Sequence, residues 1–153
     1  MAEGLATGAV SARRGRPRRA DLNRAVSSIY HALFHCLAAC GADLLVGRTK
    51  GFRNEIAWRQ TYRALEHGRL RQRCSHTGNI AEFPHEVRTF AFLIVQMQRA
   101  RHLADYDPEA LFSRSHVLKW VAVCRDTIAD FNRVGVQDRR AFAVYVLLPM
   151  RKA

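Results

Sequence analysis

The chain is short of acidic residues: 13 Asp and Glu stand against 25 Lys and Arg, for a formal net charge of +12. It also lacks paired cysteine motifs. Cys36, Cys40, Cys74 and Cys124 contain no Cys-x-x-Cys, so neither a zinc ribbon nor a dithiol redox motif is written here, and a reducing, cytoplasmic setting is expected. Cys36 and Cys40 fall one helical turn apart and read as small buried residues, with a redox or metal role as the alternative. No stretch approaches the roughly 20 apolar residues of a membrane span. The runs at residues 90–95 and 141–148 are far shorter, and the first residues have no apolar run of signal-peptide type, so no membrane partner is expected. No segment reads as a sheet and no internal repeat is visible. What remains is one domain, with 48% hydrophobic residues to build a core.

The positive excess is concentrated. Residues 1–20 set Arg13, Arg14, Arg16, Arg18 and Arg19 against Glu3, and residues 48–73 hold eight cations against Glu55 and Glu66. Two basic regions, unlike an even excess, favour a polyanionic partner. Residues 1–20 have no hydrophobic periodicity and read as a basic disordered tail. Within it Arg14, Gly15, Arg16 and Pro17 resemble the core of an AT-hook, whose extended Arg-Gly-Arg lies in the narrow minor groove of AT-rich DNA. Arg14 and Arg16 are thus candidate DNA contacts; a nonspecific electrostatic arm is the competing reading.

Residues 21–150 carry the fold. Leu22, Val26, Ile29, Leu33, Leu37 and Leu44 recur at helical steps after Asp21, a plausible N-cap, and predict a first helix to about Val46. Asn54 suits the cap of a second helix, with Trp58, Tyr62 and Leu65 as its apolar stripe and an end near Cys74. Pro84 suits the first turn of a third helix, which Asp107 and Pro108 end because the residue before proline avoids helical geometry. Ser113 or Ser115 caps a fourth, with Val117, Val121, Cys124, Ile128 and Phe131 in step until Gly135. Residues 138–150 predict a short fifth. The expected fold class is all-α: an antiparallel up-down bundle of four main helices with a short fifth C-terminal segment.

Three groups of residues can carry chemistry. On the first helix Arg24, Ser27, His31 and His35 share one face. Its two histidines suit a metal only with further ligands that no local spacing supplies, so they read instead as partly buried rings bonded to neighbours, with no metal and no cofactor expected. On the third, Arg101 continues the seam of Val87 and Ile94, and Asp105 follows one turn on. Charges facing an interior must be paired or line a cleft, so the choice lies between an Arg101–Asp105 pair, a bond to Tyr30 or His35, and a functional site. On the second, Arg59 and Arg63 alternate with Trp58 and Tyr62 and lead into Arg69, Arg71 and Arg73. Cations beside aromatics can hold a phosphate backbone and stack unpaired bases, or they form a solvated face.

The strings RAVSSIYHALFH, WRQTYRALEHGRLRQRC and RHLADYDP together resemble bacterial members of the HEPN superfamily, a resemblance that runs over about residues 21–133. The resemblance is most specific at Ser27, Tyr30, Phe34 and His35 and at Arg101, Asp105 and Tyr106. It implies a helical bundle that forms a homodimer and acts on RNA, either as a ribonuclease of toxin–antitoxin type or as the partner of a nucleotidyltransferase. The family's active motif is an arginine followed a turn or two later by a histidine, one copy from each subunit. Here Asp105 stands where that histidine would follow Arg99, and the nearest imidazole is His102. Arg101, His102, Asp105 and Tyr106 are therefore the candidate catalytic residues. In metal-independent cleavage a base takes the 2′-hydroxyl proton and a cation stabilises the phosphorane, roles that fall to Asp105 or His102 and to Arg101. Arg59, Arg63, Arg69 and Arg71 are the candidate RNA contacts.

Overall fold

The computed structural model describes residues 18–151, and every regular element among them is a helix. In chain order these are α1 (Arg19–Leu45), α2 (Glu55–Arg63), α3 (His67–Ser75), α4 (Thr77–Ile80), α5 (His85–Tyr106), α6 (Arg114–Arg133) and α7 (Val136–Leu147). Arg14 and Arg16 lie outside the described residues.

The long helix α1 is the centre of the packing, touching α2, α5, α6 and α7. Its apolar positions Leu22, Val26, Ile29, Leu33 and Leu37 are buried, as their spacing predicts. Against the sequence expectation that no stretch approaches a membrane span, α1 is long and apolar enough to cross one, with a mean hydropathy of 1.3 in its most apolar window, but 56% of that window is buried against the other helices. Its buried face packs as a core helix does. It starts at Arg19 rather than at Asp21, which sits in the first turn where its charge suits the helix dipole. Arg19 donates to the carbonyls of Pro108 and Ala110, and Asn23 donates to that of Ala104 at 3.1 Å, so the start of α1 is tied to the end of α5. Gly47, with φ of 149°, terminates α1 in a backbone conformation that glycine alone adopts without strain.

Asn54 caps α2 through a 3.0 Å bond from the Ala57 N–H, and Ser113 caps α6 through a 3.1 Å bond from that of His116. Pro84 takes the N-cap of α5, one place earlier than expected. The expected second helix is in fact two. The chain leaves helical geometry before Glu66 (φ −107°, ψ 135°) and restarts at His67. That break lets Leu65 turn inward and sets α3 against α5 and α7. The expected loop after Cys74 contains α4, capped by the His76 ring.

Phe90, Phe131 and Phe142 meet at ring separations of 4.5 Å and 6.0 Å and join α5, α6 and α7 in one core, with Phe83 against Phe142 at 5.4 Å. Burying each such side chain contributes roughly 1.5–3 kcal/mol. Arg69 donates to the Leu147 carbonyl at 2.9 Å, Arg73 to that of Leu148 at 3.4 Å, and the Tyr145 hydroxyl to that of Arg73 at 2.7 Å. The first two bonds satisfy free carbonyls at the end of α7, and the third satisfies one at the end of α3.

Candidate functional site

Side chains from α1, α3 and α5 converge on Tyr30, which is fully buried. Its hydroxyl lies 2.6 Å from Nδ1 of His67, the first residue of α3. Gln98 of α5 donates to the Tyr30 oxygen at 3.5 Å and to the His67 carbonyl at 3.0 Å. The His67 ring stacks on Phe34 with centroids 4.2 Å apart. Arg101 places its guanidinium over the Tyr30 ring, 5.4 Å from the centroid, and its Nε lies 3.3 Å from the Asp105 carboxylate. The side chains of that pair are 29% and 34% exposed, so it sits at a cleft edge and not in the core.

The rings form a chain across α1. His31 lies 5.5 Å from Tyr30 and 6.5 Å from His67, and it stacks with His35 at 6.0 Å. His35 stacks with Tyr62 at 6.0 Å and shares a 2.6 Å bond between its Nδ1 and the Tyr62 hydroxyl, and Tyr62 stacks on Trp58 at 5.2 Å. Among the described residues no three His, Cys, Asp or Glu come together in a metal-holding group.

Electrostatics follow from this packing. Partial burial holds His31 below the ordinary imidazole value, helped by the Arg101 cation and by His35 and His67, while Asp105 opposes. His67 is lowered for the same first reasons, burial and then Arg101 and His35. Burial pushes the Tyr30 phenol up to about 12, against the pull of Arg101 and Gln98. At neutral pH these shifts favour the uncharged forms of the His31 and His67 imidazoles and of the Tyr30 phenol, beside the Arg101 cation. Nδ1 of His67 is committed to Tyr30, which leaves Nε2 to exchange protons. When Nδ1–H donates to the phenol oxygen, Nε2 is an open base; when the phenol donates, Nε2 carries the proton. Burial also pushes Cys36 and Cys74 up to about 12 and Cys124 up to about 11, so these thiols stay protonated.

The sequence-predicted residues divide between this site and its surroundings. Arg101, Asp105 and Tyr30 are joined in it. His102 and Tyr106 project from α5 into an adjoining open groove of about 630 Å³, which Arg71 enters from α3 and where Arg99 also lies. His35 sits further along the ring chain, between His31 and Tyr62, and Ser27, half-buried on α1, joins none of these bonds. Arg59 and Arg63 are exposed on α2. Their aromatic neighbours are engaged inside the protein: the Trp58 indole donates to Asp43 at 2.9 Å and carries the Arg53 guanidinium over its ring at 4.1 Å. Arg69, half-buried, serves the end of α7. His67 and Gln98 are the members that sequence reasoning missed. The one local signal for His67 is Gly68, a weak helix residue immediately after it. No family model, no curated protein and no solved structure matches the chain.

Proposed function

We propose that this chain is a HEPN-like, RNA-associated protein of the bacterial cytoplasm, an up-down helical bundle that dimerises and cleaves single-stranded RNA without a metal. The observation that carries this reading is the placing of His31 and His67 around Tyr30, beside the Arg101 guanidinium at a solvent-facing edge, where burial and that cation lower both imidazoles. Neutral imidazole is the form a general base needs near neutral pH. Nε2 of His67 takes the proton of a 2′-hydroxyl, the oxygen attacks the adjacent phosphorus, and the 5′-oxygen leaves as a proton is returned to it. A 2′,3′-cyclic phosphate and a 5′-hydroxyl result. Arg101 stabilises the charge that builds on the phosphorane oxygens. Asp105 keeps that guanidinium in place, and Tyr30 with Gln98 fixes the His67 ring. In this scheme His67 takes the base role first expected of Asp105 or His102.

A second reading, a non-catalytic module that partners a nucleotidyltransferase, is favoured by the self-contained bonding of the site, since Arg101 is matched by Asp105 and His67 by Tyr30 and Gln98. DNA binding through Arg14 and Arg16 is a third. Incubating the purified protein with labelled single-stranded RNA and duplex DNA, with and without chelator, separates them. Cleavage of RNA in chelator supports the ribonuclease. Intact RNA with no retention of either nucleic acid supports the module, and retention of duplex DNA alone supports the third reading.

A further inference from the structure

We infer that the groove beside Arg101 holds one unpaired nucleotide, its base stacked on Tyr106 and its flanking phosphates on Arg71 and Arg99. This rests on the RNA reading above and specifies the form of strand that the site takes. Tyr106, in the last turn of α5, is 72% exposed although it is a large aromatic side chain. The His102 ring backs it at 4.9 Å, tilted by 47°, which leaves the phenol ring supported but open to solvent. Each base has a flat π-face, and stacking on such a platform binds bases with little regard to sequence. A base inside a duplex has both faces covered by its neighbours, so only an unpaired one reaches this ring.

Several arginines are tied up within the fold, whereas the groove cations beside Tyr106 are open. Arg53, Arg69, Arg73 and Arg139 are each engaged with carbonyls or carboxylates. Arg71 and Arg99 are exposed in the groove and make no hydrogen bond or ion pair among the described residues. Arg101 Nε is buried and lacks a well-aligned acceptor. Asp105, the carboxylate lining the groove, already faces Arg101. Two unmatched guanidiniums beside an open aromatic ring, in a groove of about 630 Å³, match a nucleotide in charge, shape and size. Tyr106 and His102 then bind the strand, and proton transfer is left to the imidazoles on α1 and α3.

The test uses the full chain and a short labelled strand of 2′-O-methyl RNA, which has no attacking hydroxyl, alone and annealed to its complement. Affinity is measured against salt for the wild type, Tyr106→Ala, Tyr106→Trp, Arg71→Gln and Arg99→Gln, with melting as the folding control. Tyr106→Ala should weaken binding of the unpaired strand by about 5- to 150-fold, and Tyr106→Trp should restore it. Each arginine change should lower the salt slope by about one. Residues 1–20 are common to all variants, so their charge cancels from these ratios. Unchanged affinity in Tyr106→Ala, or equal binding of the paired strand in the groove-dependent part, would overturn the inference. If the wild type cleaves ordinary RNA while Tyr106→Ala binds as before, this subsite fails and the cleavage reading survives. If binding depends on Tyr106 but ordinary RNA stays intact, the subsite stands and the cleavage reading fails.

Discussion

Replacing Arg101 by Ala removes three things: an i,i+4 ion pair with Asp105, a cation over the Tyr30 ring, and the permanent charge next to His31 and His67. The first is a pair with both side chains about one third exposed, N···O 3.3 Å, and such pairs contribute roughly 0.3–0.5 kcal/mol. The second contributes roughly 0.5–1 kcal/mol at a partly solvated site. The two sum to about 1–1.5 kcal/mol, far below the roughly 3–5 kcal/mol expected when one member of a fully buried pair is removed. For a bundle of this size that loss lowers Tm by about 3–6 °C. Asp105→Ala should cost no more, and the double variant should show a coupling of about 0.5 kcal/mol. RNA cleavage, by contrast, should fall by roughly 100-fold or more in Arg101→Ala, because a charge that stabilises the phosphorane acts chiefly in the transition state. Thermal melts and single-turnover cleavage on the same three proteins check both arms. An unfolded Arg101→Ala, rescued by replacing Asp105 as well, would refute the reasoning and make the pair a packing device.

Stability should also depend on acid. His31 and His67 titrate below the ordinary value of 6.5, so the unfolded chain takes up protons that the folded chain refuses. Stability is therefore full above about pH 6.5 and falls as pH drops from there toward the folded values, and His31→Gln should flatten that fall in melts between about pH 7.5 and 5.5; a variant as acid-sensitive as the wild type would contradict it. Arg69→Gln, which removes the 2.9 Å bond to the Leu147 carbonyl, should cost about 1 kcal/mol while the salt dependence of RNA retention stays put, whereas Arg59→Gln and Arg63→Gln should each lower that slope without destabilising the fold. Light scattering at micromolar concentration should give a dimer, with Phe92, 72% exposed on α5, in its interface, and Phe92→Asp should return a monomer.

The long helices were legible because their apolar residues keep the helical period from end to end: Leu22 to Leu37 on α1 and Val117 to Phe131 on α6 are buried or packed on the core. Caps with a side-chain oxygen, Asn54 and Ser113, were legible too. The break before His67 was not. No proline marks it, and the turn is made by the burial of Leu65 and by Arg69 and Arg73 reaching the end of α7, contacts more than 70 residues apart in the chain. A continuous helix there gives His67 no route to Tyr30. Arg101 and Asp105 stood out because a charged residue broke an apolar seam. Gln98 carries no such signal, since its role exists only where α3 and α5 meet.

Under the proposed function His67, set by Tyr30 beside Arg101, is the base of a metal-independent ribonuclease. The direct measurement is single-turnover cleavage of single-stranded RNA in chelator by the wild type and by His67→Ala, with analysis of the product ends. The wild type should leave a 2′,3′-cyclic phosphate, and His67→Ala, melting as a folded protein, should be slower by about 10²- to 10⁴-fold. A wild type that leaves RNA intact, or a His67→Ala variant that cleaves at the wild-type rate, would contradict it.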